Sequence, residues 1–241
     1  RRQNRLEFDR TAVRQIIHET LEGGDRMLTE PASKTILSSY GIPVNRIENV
    51  ATEENAVRTA EDIGFPVVMK INSRDITHKS DAGSVCLDIK NEQEVLKAYG
   101  NILQNVKTYD PKARIQGVTI QPMLNPPDYE IIVGAKNDRD CAIALPPLNS
   151  LLARRLMEKT KLFTILKGYR AFPPANIQLL EEILIRLSQL VTDFAEIDEL
   201  DINPLFIRED TVCAVDARIL LKTPVKKAPL HLVISPYPEK Y

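Results

Sequence analysis

The hydrophobic and polar positions of this chain follow two periods, which predict a mixture of helices and strands. Apolar residues at helical spacing predict a first helix that ends at Gly23, followed by helices over 29–40, 52–63, 91–107, 150–157, 161–169 and 177–191. Short β-branched or alternating runs predict strands over 44–50, 67–71, 85–89, 117–121, 129–134, 199–203 and 212–215. This order of elements is typical of an α/β or α+β protein with layered sheets.

Composition and charge narrow the class of protein. The 241 residues include 32 Lys and Arg and 33 Asp and Glu, a balance that argues against a general nucleic-acid binder. No apolar run approaches the ~20 residues that cross a bilayer, so no membrane span is predicted. Cys86, Cys141 and Cys213 are scattered among apolar residues and are interpreted as reduced core cysteines of a cytoplasmic protein.

The segment 65–87 concentrates polar chemistry between two predicted strands. Lys70 lies within a β-branched run, so its ammonium is a placed charge that suits a phosphate. His78 follows in a polar loop and can act as a nucleophile or base near neutral pH, and Ser80 and the backbone around Gly83 can donate hydrogen bonds to oxyanions. A solvated histidine and a lysine at a sheet edge are the alternative interpretation of the same pattern.

A second polar constellation lies near the end of the chain. Strand alternation places Glu199, Asp201 and Asn203 on one face, and Asp216 follows the next apolar run. Carboxylate and amide oxygens of this kind suit Mg²⁺, which takes few ligands from protein and the rest from phosphate and water. A solvated acidic strand face is the alternative.

These motifs together resemble a known family. Residues 64–70 and 75–83 are similar to the ATP-grasp domain of the ADP-forming acyl-CoA synthetases, which are related to succinyl-CoA synthetase. The resemblance covers roughly residues 27–238 and includes Gln-Pro-Met at 121–123, Asp-Ile-Asn-Pro-Leu at 201–205 and Val-Asp-Ala-Arg at 215–218. It implies an ATP-grasp fold with two lobes, each a β-sheet with packed helices.

The resemblance also implies domain boundaries. Residues 1–28 would form a linker helix from a preceding domain, 29–115 the N-terminal lobe, 116–222 the C-terminal lobe and 223–241 an exit linker. Because the chain starts at Arg1 and ends on a segment similar to the family's exit from this domain, we expect it to be part of a longer polypeptide.

The family reaction joins a carboxylic acid to coenzyme A while ATP becomes ADP and phosphate, through phosphohistidine. By resemblance, His78 is the phosphoryl acceptor, and Asn203 and Asp216, with Asp201 beside them, hold Mg²⁺. The remaining implied ligands of ATP or ADP are Lys70 at phosphate, Lys34 near the nucleotide, Gln121 and Met123 at an adenine-binding hinge, and Glu130. CoA would bind a partner domain or subunit, and an oligomer is expected.

Two departures from the family pattern leave an alternative open. Ser84 replaces a family glycine, and a glycine-rich turn is absent between Asp140 and Cys141, either because the chain lost it or because the sequence as given lacks it. If the loss is real, the alternative is a non-catalytic ATP-grasp regulatory module of a protein lysine acetyltransferase, with a C-terminal acetyltransferase domain.

Overall fold

The computed structural model describes residues 8–76, 79–135, 146–168 and 173–222. In this part of the chain the helices are α1 (Arg10–Glu22), α2 (Glu30–Ser39), α3 (Glu53–Ile63), α4 (Glu92–Tyr109), α5 (Ser150–Glu158), α6 (Lys161–Leu166) and α7 (Ile177–Asp193). The strands are β1 (Glu48–Val50), β2 (Val67–Ser73), β3 (Val85–Ile89), β4 (Ile115–Pro122), β5 (Tyr129–Ala135), β6 (Ile197–Arg208), β7 (Thr211–Ala214) and β8 (Ala217–Leu221).

The first sheet has the strand order β1-β4-β2-β3, and its neighbouring strands are antiparallel. One face packs on α3 and α4, where Met69, Ile71 and Ile120 are buried with residues of both helices. Because side chains alternate along a strand, Lys70 and Gln121 point to the opposite face. This face carries the site described below.

In the second sheet, β5 pairs with one edge of β6. The other edge of β6 pairs with β8 over residues 197–202 and with β7 over residues 205–208. The hydrophobic core of this sheet includes residues of all four strands and of α1, α2, α5, α6 and α7. Backbone hydrogen bonds also join the α1–α2 connection to β8, from Leu28 N–H to the Ile219 carbonyl and from Leu221 N–H to the Arg26 carbonyl.

This packing groups the elements differently from the implied domain boundaries. Helices α1 and α2 belong to the core of the second sheet, although residues 1–28 were expected to be a linker and α2 part of the N-terminal lobe. Strand β4 pairs with β1 and β2, so the first sheet continues to Pro122, beyond the expected boundary at 115. The reason is that long-range pairing decides sheet membership, and the sequence pattern does not show it.

Helix α2 connects the two halves of the molecule. Thr29 is its N-cap, with the side chain accepting from Ala32 N–H, and Gly41 ends it with a left-handed φ of 69°. Its apolar residues Ile36 and Leu37 enter the second core. Glu30 and Lys34 are one turn apart and are also buried, but they contact polar groups instead.

Most predicted elements are confirmed, including the mixed α+β organisation. Thr29, Thr52 and Asn91 are the N-caps of α2, α3 and α4. The strand expected over 44–50 is shorter: β1 covers its last three residues, and Val44 makes an isolated parallel bridge to Ala214. Cys86 and Cys213 are free and half-buried, and Cys141 lies outside the described residues. Among the described helices, none has the length and apolar character that a membrane crossing needs.

Candidate functional site

A cluster of charged and amide side chains lies where the first sheet meets α2 and the turn between β7 and β8. We call it the Glu30 cluster, and its members are Glu30, Lys34, Asn45, Lys70, Lys79, Gln121 and Asp216. Strands β2 and β4 supply Lys70 and Gln121 from one sheet face, and α2 supplies Glu30 and Lys34. The cluster therefore joins elements from both hydrophobic cores.

The Glu30 carboxylate is its centre. Oε1 accepts from the Gln121 amide at 2.6 Å, from Lys70 Nζ at 3.0 Å and lies 3.1 Å from Lys34 Nζ. Oε2 accepts a short hydrogen bond from Lys79 Nζ. One buried carboxylate thus contacts three ammonium groups and one amide, which satisfies a charge that would otherwise be costly to bury.

The inner end of the cluster is closed to solvent. The Lys34 side chain is 1% exposed, and its ammonium also donates to Asn45 Oδ1 at 2.7 Å and Gln121 Oε1 at 3.0 Å. Asn45 Nδ2 donates to the same Gln121 oxygen at 2.9 Å. Lys34 and Gln121 therefore support the cluster from inside, although the resemblance implied that both lie at the nucleotide.

The charges in the cluster shift one another's pKa values. Burial alone would raise the pKa of Glu30, but Lys79, Lys70 and Lys34 outweigh it and hold that pKa far below its usual range. Burial lowers the pKa of Lys34 to about 8, because the carboxylate of Glu30, which acts to raise that pKa, only partly offsets the effect of burial. For Lys79, burial acts to lower the pKa, yet Glu30 and Asp216 raise it above its ordinary value. Glu30 and Lys79 are thus both charged at neutral pH.

The outer edge of the cluster opens to solvent. Asp216 Oδ2 lies 3.2 Å from Lys70 Nζ and 3.6 Å from Lys79 Nζ, and the side-chain exposure increases from 3% at Glu30 to 9%, 16% and 30% at Lys70, Lys79 and Asp216. Three lysines face two carboxylates, so the cluster has one excess positive charge. An accessible edge of this kind suits an anion such as a phosphate.

Two residues of the predicted metal site, Asn203 and Asp216, are adjacent through their backbones. The Asn203 N–H donates to the Asp216 carbonyl at 3.1 Å, and strand β6 places Asp201 and Asn203 on its more exposed face, with Leu200 and Ile202 buried behind them. Within the described ranges, no group of three or more His, Cys, Asp or Glu side chains could hold a metal ion by itself. Mg²⁺ that also binds phosphate and water fits this small set of oxygen ligands.

The predicted adenine hinge lies at the end of β4. Met123 is 39% exposed and its N–H donates to the Pro66 carbonyl at 3.0 Å, while Gln121 is 1% exposed. Glu130 is an exposed residue of β5 opposite Phe206. The structure brings Lys34, Lys70, Gln121 and Asp216 together, but it does not join Met123 or Glu130 to the cluster through any contact among the described residues.

His78 lies outside the described residues, and the next residue, Lys79, is a member of the cluster. Glu30, Asn45 and Lys79 were missed as site residues in the sequence. The spacing of Glu30 and Lys34, four residues apart on a capped helix, was a usable signal, but it usually marks an exposed ion pair. Nothing local in the sequence marked Asn45.

Comparison with known proteins identifies the family of this chain. The family model described as "ATP-grasp domain" matches residues 19–140 and 139–221, which is most of the chain. This chain belongs to the ATP-grasp domain family. The family match is split at 139–140, beside the position where the sequence analysis found a family turn to be absent.

Relatives of this ATP-grasp chain are acyl-CoA synthetases by name. The β subunits of ADP-forming acetate–CoA ligases I and II of Pyrococcus furiosus are 39% and 36% identical, over 89% and 86% of this chain and 100% and 97% of their own lengths. Acetyl-coenzyme A synthetase 1 of Ca. Korarchaeum cryptofilum, solved with coenzyme A and Ca-AMPCP, is 34% identical with a TM-score of 0.82, over 87% of this chain and 99% of that one.

These findings confirm the expected ATP-grasp fold and the resemblance to the nucleotide-binding β part of ADP-forming acyl-CoA ligases. Since the named relatives are ligases and synthetases, the alternative of a regulatory module in a lysine acetyltransferase is not favoured. The individual site residues stay predictions.

Proposed function

We propose that this ATP-grasp chain is the ATP- and Mg²⁺-binding phosphoryl-transfer part of an ADP-forming acyl-CoA synthetase. The observation that carries the proposal is the accessible edge of the Glu30 cluster, where Lys70 and Lys79 flank Asp216 between the two sheets. The solved K. cryptofilum synthetase that binds Mg-AMPPCP, with 30% identity and a TM-score of 0.73, supports the choice of nucleotide.

In this proposal, Lys70 and Lys79 bind the phosphates of ATP, and Asn203 and Asp216, with Asp201 nearby, hold Mg²⁺. When bound, the metal neutralises charge on the phosphate oxygens. The two lysines orient the terminal phosphoryl group and stabilise its developing charge. Gln121 and Met123 contribute backbone groups to the adenine hinge, other than the Met123 N–H, which is donated to the Pro66 carbonyl, and Glu130 is the further proposed ligand.

His78 is the proposed phosphoryl acceptor. An imidazole nitrogen attacks the γ-phosphorus, the bond to the β–γ bridging oxygen breaks, and ADP leaves with that electron pair. The other ring nitrogen then releases its proton to solvent, leaving a neutral phosphoimidazole. The same residue could instead receive the phosphoryl group from a second phosphohistidine on a partner domain. A solved structure of the K. cryptofilum synthetase has a "phosphohistidine segment pointing towards nucleotide binding site", which is consistent with either route.

The acyl and CoA sites are proposed to lie on a partner domain or subunit. The P. furiosus relatives are named as β subunits, and the chain matches only 34% of the length of ADP-forming acetate–CoA ligase I of Archaeoglobus fulgidus, a longer protein. This chain by itself is therefore not expected to form acyl-CoA.

The first test is phosphoryl labelling. Incubation with γ-labelled ATP and Mg²⁺ is expected to give protein-bound label that is stable in base and lost in acid, as a phosphorus–nitrogen bond requires. His78→Ala is expected to abolish the label. His18→Ala is the control, because His18 is an exposed residue of α1 that pairs with Glu22 and not with a member of the cluster.

Equal labelling of wild type and His78→Ala would remove His78 from the mechanism. If the wild-type chain alone takes no label but acquires it when the phosphorylated partner subunit is added, the relay through a second phosphohistidine is supported. Absence of Mg·ATP binding to the wild type would overturn the proposed function itself.

A further inference from the structure

Glu30 is a buried carboxylate for which the proposed reaction has no direct use. Its side chain is 3% exposed, so it is not available to a nucleotide, and it lies on α2 rather than on the two strands that face the site. Yet it contacts both lysines that are proposed to hold phosphate. A role exerted through these lysines would account for the contacts.

The three ammonium groups are held close together by this one residue. Lys34 and Lys70 both contact Oε1, and Lys79 contacts Oε2. Like charges at this separation repel strongly away from bulk water, and without a carboxylate among them the ammonium groups would turn toward solvent. Glu30 makes the inward-facing arrangement stable.

The inner partners fix the carboxylate in turn. Glu30 begins a helix capped by Thr29, and Gln121, itself held by Asn45 and Lys34, donates to Oε1 at 2.6 Å. Both oxygens therefore have set directions. A glutamine side chain would place an NH₂ group against an ammonium, so the carboxylate cannot be replaced by its neutral isostere without breaking a contact.

We propose that Glu30 is a positioning residue for phosphoryl transfer: it orients Lys70 and Lys79 toward the phosphates of ATP. Lys79 directly follows His78 in the sequence, so the Glu30–Lys79 ion pair also anchors the chain one residue from the proposed phosphoryl acceptor. This inference rests on the proposed function and adds to it a residue that binds neither nucleotide nor metal.

The test compares Glu30→Gln with Glu181→Gln. Glu181 is a matched control, since it is a similarly buried carboxylate, with a side chain 9% exposed, that pairs with Arg154 away from the cluster. Two quantities are measured on protein shown to be folded. Calorimetry gives the affinity for Mg·ATP, and incubation with γ-labelled ATP gives the rate of protein labelling. Glu30→Gln is expected to lower the affinity and the labelling rate roughly ten- to a hundredfold, the loss that follows removal of a group supporting a metal ligand. Glu181→Gln is expected to change neither.

A purely structural role predicts a different outcome. If folded Glu30→Gln and Glu181→Gln bind and transfer equally, the inference is overturned while the proposed function stands. If Glu30→Gln does not fold, Glu30→Asp is the deciding variant. The aspartate keeps the charge but is one methylene too short to contact all four donors. Weaker Mg·ATP binding by this variant supports a positioning role, and binding equal to that of the wild type excludes such a role. Failure of the wild type to bind Mg·ATP overturns the proposed function and this inference together.

Discussion

Asp193, at the last residue of α7, joins three helices through its two carboxylate oxygens. Oδ2 accepts a hydrogen bond from Arg10 Nε of α1 at 2.7 Å and another from the hydroxyl of Tyr40, the C-cap of α2, at 2.6 Å. Oδ1 accepts a hydrogen bond from Gln189 at 2.7 Å. Burial alone would raise the pKa of Asp193, but these hydrogen bonds from Tyr40, Arg10 and Gln189 outweigh it and lower the pKa. The folded state therefore favours the ionised carboxylate.

Removing the Tyr40 hydroxyl tests this contact. Tyr40→Phe is expected to cost about 1.5–3 kcal/mol in the free energy of unfolding at pH 7, as a hydrogen bond to a charged group does. Because the folded-state pKa of Asp193 is lowered, its contribution is complete above the unfolded-chain value of 3.8 and is lost as the pH falls through the folded-state pKa. Urea unfolding should therefore show a constant difference between mutant and wild type from pH 7 down to the unfolded-chain value of 3.8, and a shrinking difference below it, in a series that extends to about pH 2.

The control is Tyr109→Phe, since Tyr109 is 57% exposed and a hydroxyl there faces solvent. A difference between Tyr40→Phe and wild type that stays constant over the whole pH range would contradict this account of Asp193.

At the scale of individual residues, the sequence predicts some members of the site and contains no specific signal for others. Lys70 could be recognised because a lysine inside a β-branched run interrupts an apolar pattern, and Asp216 because it follows one. Glu30 could not, since a glutamate in the first turn of a helix is commonplace there for reasons of the helix dipole alone. Its burial depends on donors 40 and 91 residues away in the sequence, which no local pattern reveals.

At the scale of elements, α2 serves both hydrophobic packing and the charged site. The sequence predicted a helix over 29–40, and in the structure Ile36, Leu37 and Tyr40 form its apolar face. A sequence period alone predicts that the polar face of a helix is exposed. It distinguishes apolar from polar positions, but it does not show which polar positions are buried. In the structure that face is covered by β2 and β4 through Lys70 and Gln121.

The cap of α2 offers a test at this scale. Thr29→Ala and Thr52→Ala remove equivalent caps, each hydroxyl accepting a backbone N–H at 3.3 Å, from α2 and from α3. Both are expected to lower the free energy of unfolding by about 1 kcal/mol. Only Thr29→Ala is expected also to weaken Mg·ATP binding, because the frayed first turn of α2 contains Glu30.

Calorimetric titration of the two variants distinguishes the effects. Equal nucleotide affinity in both, at equal loss of stability, would show that the start of α2 does not control the site.

At the scale of the whole molecule, a second ion-pair group joins the two sheets. Asp25 lies in the α1–α2 connection, which pairs with β8. Its carboxylate accepts a hydrogen bond from Arg74, the residue after β2, and lies 2.7 Å from the guanidinium of Arg114, the residue before β4. Arg114 also binds Asp75 at 2.8 Å. Since Asp25 lies in the connection that pairs with the second sheet and both arginines adjoin strands of the first, this group and the Glu30 cluster connect the same two halves.

Replacing Asp25 tests whether these contacts make the halves unfold as one unit. Asp25→Asn leaves Arg74, a side chain 22% exposed, without its charged partner, and loss of one member of a buried pair costs about 3 kcal/mol. The control, Asp62→Asn, removes an ion pair with Arg46 whose side chains are 68% and 48% exposed, which is worth about 0–1 kcal/mol. Denaturant unfolding should show a clearly lower midpoint for Asp25→Asn, and a smaller dependence of the free energy on denaturant if the first sheet then opens before the second. Matching midpoints in the two variants would mean that the sheets are coupled through the Glu30 cluster and α2 without help from Asp25.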